Sequence, residues 1–128
     1  MGGGFTLEPR EGYLYVQLEP GYEINPENLS RLYSAMSESC RANGLTKTLT
    51  VGDGVTRNLT PVESTDFAWL MTRLLPGMAV ACCFRDYAPD DQSQAFRARA
   101  LTRGVRMEFF EDLNAALQWL GVRPTPKR

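Results

Sequence analysis

Met78-Ala79-Val80-Ala81-Cys82-Cys83-Phe84 is an unbroken apolar run, preceded by Pro76-Gly77 and followed by Arg85-Asp86. It falls far short of the ~20 residues that a membrane span needs and has the length of a strand. Side chains alternate between the two faces of a strand. A run with no polar residue is therefore buried on both faces, the mark of a central strand in a parallel sheet. Parallel neighbours are joined by long crossovers, usually helices. The run thus predicts a helix on each side of itself in the chain.

The flanking sequence supplies both. Upstream, Thr60-Pro61-Val62-Glu63 is a capping box with Pro at the first helical position, opening a helix to about Leu75. Downstream, Pro89-Asp90-Asp91 starts a helix that Gly104 ends. Farther out, Asn25-Pro26-Glu27 opens a helix to about Ala42, closed by Asn43-Gly44. Its Leu29, Leu32, Tyr33, Met36 and Cys40 form one apolar stripe. Residues 47–51 and 105–109 read as further strands, and Asp112 caps a last helix that carries Leu113, Ala116, Leu117 and Leu120 on one face. At the start, residues 5–8 and 13–18 read as two strands around a turn, Pro9-Arg10-Glu11-Gly12, with Leu14, Val16 and Leu18 facing the core.

The resulting order, β-β-α-β-α-β-α-β-α, predicts one α/β domain: a five-stranded mixed sheet with four helices, helices on both faces and one antiparallel edge strand. The domain is expected over residues 5–121, with 1–4 as a flexible leader and 122–128 as a basic, Pro-containing tail.

Composition narrows the function classes. The chain has 128 residues, 43% hydrophobic and 23% charged, with a net charge of -1, so no global field draws nucleic acid or an anionic membrane. There is no histidine, which removes the commonest general base, the Ser-His triads and the commonest zinc ligand. Cys40, Cys82 and Cys83 make an odd count, and adjacent cysteines in a strand point to opposite faces. A reduced, cytoplasmic protein is the expectation. Two glycosylation sequons, at Asn28 and Asn58, carry no meaning there.

The element order and three stretches resemble a known family. They are Gly12-Tyr13-Leu14-Tyr15-Val16, Gly77-Met78-Ala79-Val80-Ala81, and the ending from Arg103 through Phe109-Phe110-Glu111-Asp112 to Ala116-Leu117-Gln118-Trp119-Leu120. The likeness is to the SpoIIAA-like fold shared by STAS domains and the lipid-binding CRAL-TRIO (SEC14) domains, and most to the small stand-alone bacterial SpoIIAA-like proteins. It implies a fold and a binding or regulatory role. In STAS anti-anti-sigma factors, a phosphorylated serine lies just after the third strand. Here that position holds Val55 within Asp53-Gly54-Val55-Thr56, a departure from the phosphorylated pattern.

Ligands of open α/β sheets sit beyond the carboxyl ends of the strands. Three loops are expected there, residues 52–59, 85–88 and 110–112. They nominate Asp53, Thr56, Arg57, Arg85, Asp86 and Tyr87 as ligand-binding candidates, with the arginines suited to a small anion. The plain alternative is that these acids and arginines satisfy one another. Gly52-Asp53-Gly54 is too short for a phosphate loop and lacks its lysine. A second candidate surface is the outer stripe of the second helix, Val62, Asp66, Trp69 and Arg73, opposite a core face of Phe67, Leu70, Met71 and Leu74. A Trp there suits a partner contact or a homodimer; the plain alternative is packing along a neighbouring element. The reading is a non-enzymatic binding module for a protein partner or small ligand, with no cofactor or metal. The alternative is lipid or apolar small-molecule binding.

Overall fold

The computed structural model describes residues 3–122. The strands and helices are β1 (Phe5–Arg10), β2 (Tyr13–Leu18), β3 (Glu23–Ile24), α1 (Pro26–Asn43), β4 (Lys47–Asp53), β5 (Thr56–Arg57), α2 (Pro61–Leu74), β6 (Ala79–Arg85), α3 (Asp91–Thr102), β7 (Arg106–Phe110) and α4 (Leu113–Leu120). The five-stranded sheet has the order β1-β2-β4-β6-β7. β1 is antiparallel to β2, and every other pairing is parallel. The apolar run is β6, one place in from the edge, buried from Ala79 through Phe84. The fold is the expected α/β arrangement of a five-stranded mixed sheet with four helices.

Strands join this sheet in chain order, always on the same side. Right-handed crossovers then all fall on one face. α1, α2 and α3 accordingly form a single layer there, packing on Leu14, Val16, Leu18, Val80, Cys82 and Phe84. α4 follows the last strand and covers the other face, where Ala116, Leu117 and Leu120 meet Tyr13, Leu49, Ala79, Ala81 and Cys83. Cys82 and Cys83 therefore belong to different cores, as strand alternation requires. The helix caps follow the sequence signals: Asn25 and Asp90 accept from the backbone N–H of Asn28 and Ser93, and the capping box of Thr60 with Glu63 closes from both sides. Gly44 adopts φ 65°, the left-handed cap.

Four details depart from the sequence reading. β1 runs on through Pro9 and Arg10, leaving only Glu11-Gly12 as the turn; an edge strand tolerates the missing N–H of Pro. Leu113, the first residue of α4, is 44% exposed rather than part of its buried face. The core face of α2 is rotated: Ser64, Ala68, Met71, Thr72 and Leu75 are buried, whereas Phe67, Leu70 and Leu74 are half-buried flanks. α2 packs against α3 and α1 rather than directly on a strand, so the residues it buries, Ala68 at 0% exposure among them, are those facing the neighbouring helices. Finally, β3 and β5 form a two-residue parallel ladder outside the main sheet. It ties the start of α1 to the loop after β4 through Thr56 N–H to the Tyr22 carbonyl (3.0 Å) and Asn58 N–H to the Ile24 carbonyl (2.7 Å).

At the N-terminal end, the Glu19 N–H donates to the Gly4 carbonyl at 2.9 Å, and the Glu19 carboxylate accepts from the Gly4 N–H at 2.7 Å. Residues 1–2 of the expected leader and 123–128 of the expected tail lie outside the described residues.

Candidate functional site

Between the sheet and the three-helix layer is a pocket of about 80 Å³. Its walls are apolar: Leu29, Leu32 and Met36 from α1, Met71 from α2, Phe96 from α3, and Val80 and Met107 from the sheet. The buried hydroxyls of Thr50 and Ser64 and the Cys82 thiol punctuate this lining. Tyr33 also lines it, and burial holds its phenol well above the ordinary tyrosine range. Burial, reinforced by neighbouring Cys83, pushes the Cys82 thiol up to about 12. A thiol so protonated is a packing group, not a nucleophile. Cys40 is likewise pushed up to about 11 by burial.

The mouth of the pocket is polar and tightly connected. Arg57, on β5, donates from both Nη atoms to the two carboxylate oxygens of Asp90, at 2.8 and 2.7 Å. Asp90 also caps α3, accepting from the Ser93 N–H at 3.0 Å and the Ser93 hydroxyl at 3.1 Å. The Tyr87 and Ser93 hydroxyls are 2.8 Å apart. Gln92 Nε2 donates to the Leu59 carbonyl at 3.3 Å. The bidentate arginine, then the Ser93 bonds, hold the Asp90 carboxyl far below the usual carboxylate range. The β3–β5 ladder fixes Arg57 from below, so one ion pair closes the gap between the β4–α2 loop and α3.

The six nominated ligand residues do gather at the carboxyl end of the sheet, but four of them are paired: Asp53 with Arg85, Arg57 with Asp90, and Tyr87 with Ser93. Asp53 and Arg85 are register partners on β4 and β6, and Arg85 Nε lies 3.2 Å from Asp53 Oδ1. Both side chains are more than half exposed, so this pair contributes little stability. Thr56 is exposed. Asp86 is a non-glycine residue with positive φ, at 61°. Tyr87 is half-buried, edge-on to Phe84 with centroids 5.5 Å apart and tilted against Phe109 at 6.0 Å. Leu59, Gln92, Asp90 and Ser93 were not nominated. Asp90 was legible only as a helix cap, and its second role depends on a ladder of two-residue strands that carries no sequence signal.

On α2, Val62 is 71% exposed, and Asp66 and Arg73 are exposed with it. Trp69 is half-buried, and the guanidinium carbon of Arg103 lies 4.0 Å over its ring. The ring is therefore covered from within the chain by the end of α3. Trp119 packs at the edge of the α4 core, 5.6 Å from Phe110. Among the described residues, no group of three or more His, Cys, Asp or Glu is placed to hold a metal ion. No helix there is long and apolar enough to cross a membrane.

No family model and no curated protein matches this sequence. Solved structures do. One is an uncharacterized protein of the DUF3478 family from Shewanella loihica PV-4, described as having a SpoIIAA-like fold. It superposes with a TM-score of 0.55 at 17% identity, over 91% of this chain and 92% of that one. At that identity the likeness concerns architecture alone, and the architecture is common to both: this chain has the SpoIIAA-like fold.

Proposed function

We propose that the chain is a non-enzymatic binding module whose pocket receives a short apolar group, either a small molecule or a side chain of a protein partner. One observation carries the reading: an apolar pocket of about 80 Å³ persists between sheet and helices where protein interiors are ordinarily close-packed. Its size decides what it fits. Pockets for drug-sized ligands start at roughly 300 Å³, and an engineered cavity of about 150 Å³ admits benzene. The present space suits a few heavy atoms, not an acyl chain. The scattered hydroxyls favour an occupant with one polar atom.

Methionine methyl NMR tests this directly. Met36, Met71 and Met107 line the pocket, and Met78 is a core methionine that does not. Titration with xenon or isobutanol is expected to shift the first three and leave Met78 in place. Equal movement of all four, or of none, would remove the proposal.

A further inference from the structure

We infer a second binding site, on the outside of the aromatic wall: a cleft at the carboxyl ends of β6 and β7 that takes a small free organic cation of the alkylated ammonium class. The cleft measures about 110 Å³ and is lined by Phe84, Tyr87, Pro89, Phe109, Phe110 and Glu111. Four of the six lining residues are aromatic. Through Tyr87 and Glu111 it is continuous with an open bowl of about 300 Å³ that also holds Arg85 and Asp86.

The charge balance at this end sets the sign of the ligand. Of the two arginines that would attract an anion, Arg57 is held by both oxygens of Asp90, and the charge of the exposed Arg85 is offset by Asp53 at 3.2 Å. Asp86, Glu111 and Asp112 have no ion-pair partner among the described residues. Asp112 serves as the cap of α4, and Asp86 and Glu111 are exposed at the rim. What remains is a negative rim around aromatic walls.

That combination selects one chemistry. Aromatic faces attract cations through their quadrupole, most effectively when the cation is weakly hydrated. An alkylated ammonium meets both conditions, and its methyl groups bury apolar area against the rings. A metal ion does not, since rings offer it no lone pairs and it holds its water strongly. A phosphate attached to the ammonium would lie against Asp86 and Glu111, so a free cation is favoured over a phospholipid headgroup.

Amide NMR with tetramethylammonium chloride as the probe tests the site, with sodium chloride at equal concentration as reference. Saturable shifts are expected at Tyr87, Phe110, Glu111 and Asp112, with the pocket methyls of Met36, Met71 and Met107 unmoved. The neutral isostere tert-butanol is expected to bind at least about tenfold more weakly, and Glu111→Gln to weaken the cation but not the alcohol. Choline is expected to bind and phosphocholine to bind less well. Absence of saturable shifts, equal affinity for tert-butanol, indifference to Glu111→Gln, or phosphocholine binding as well as choline would each overturn the site. Because Glu111 is exposed, its replacement leaves the fold intact, and a negative result cannot be blamed on unfolding.

Discussion

Asp90 joins two tasks in one carboxylate: it caps α3 and holds Arg57 across the pocket mouth. Its pKa lies below the ordinary value, so the pair stabilises the fold above about pH 4, where a free aspartate ionises. That contribution drains away as the pH falls from there toward the depressed value. Asparagine is as good a cap as aspartate but carries no charge. Asp90→Asn is therefore expected to lower stability at pH 7 by up to about 1 kcal/mol, a figure kept small because the carboxylate is half exposed. The difference from wild type should shrink as pH drops below 4, and thermal melts across that range measure it. A constant offset at all pH values would show that the charge is immaterial. Trp69 is the other residue whose surroundings changed its meaning. The spacing in α2 set it opposite the core, and Arg103, thirty-odd positions away, covers it. Replacing Arg103 by Ala should red-shift the emission of Trp69 and raise its quenching by acrylamide; unchanged emission would mean the stack is not populated in solution.

At the level of the elements, capping chemistry and periodicity carried the reading. Asn25, Thr60, Asp90 and Asp112 were all identified as helix starts from local sequence, because an N-cap needs only residues within one turn. The α1 stripe was legible for the same reason. The rotation of α2 was not, since it depends on packing against α1 and α3, whose positions the helix's own sequence does not encode. The β3–β5 ladder was invisible because two residues make no period. The energy in these caps is measurable. Thr60→Ala removes the acceptor for the Glu63 N–H (3.1 Å) and leaves the reciprocal Glu63 bond to fray. It is expected to destabilise by about 1 kcal/mol in urea titrations without changing the m-value. A changed m-value would indicate that α2 detaches as a unit instead.

For the whole molecule, the decisive regularity is that strands join the sheet in chain order. It places three helices together, puts α4 alone on the far side, and creates the interface in which the pocket lies. The α/β class and the sheet composition followed from the sequence; the pocket did not, because a space is set by the side chains that fail to fill it. The three thiols give a global readout of this packing. Cys40, on α1, and Cys82 lie in the core beneath the three-helix layer, Cys83 lies in the core beneath α4, and all are buried. An aromatic disulfide reagent should find no rapidly reacting thiol in the native protein and three after denaturation. Fast reaction of Cys83 alone would locate an independent opening of α4.

The sheet also has two ends, and β1 and β7 each present a row of backbone groups to the outside. Such rows template further strands and can seed fibrils. β1 carries Pro9 between Glu8 and Arg10, and β7 sets Arg106 and Glu108 among its apolar residues. A proline cannot donate to an incoming strand, and charges stacked in register repel their copies. The margins of the sheet thus act as gatekeepers: a chain with Pro9 and Glu8 exchanged for β-branched residues would keep its fold and lose its protection against polymerisation.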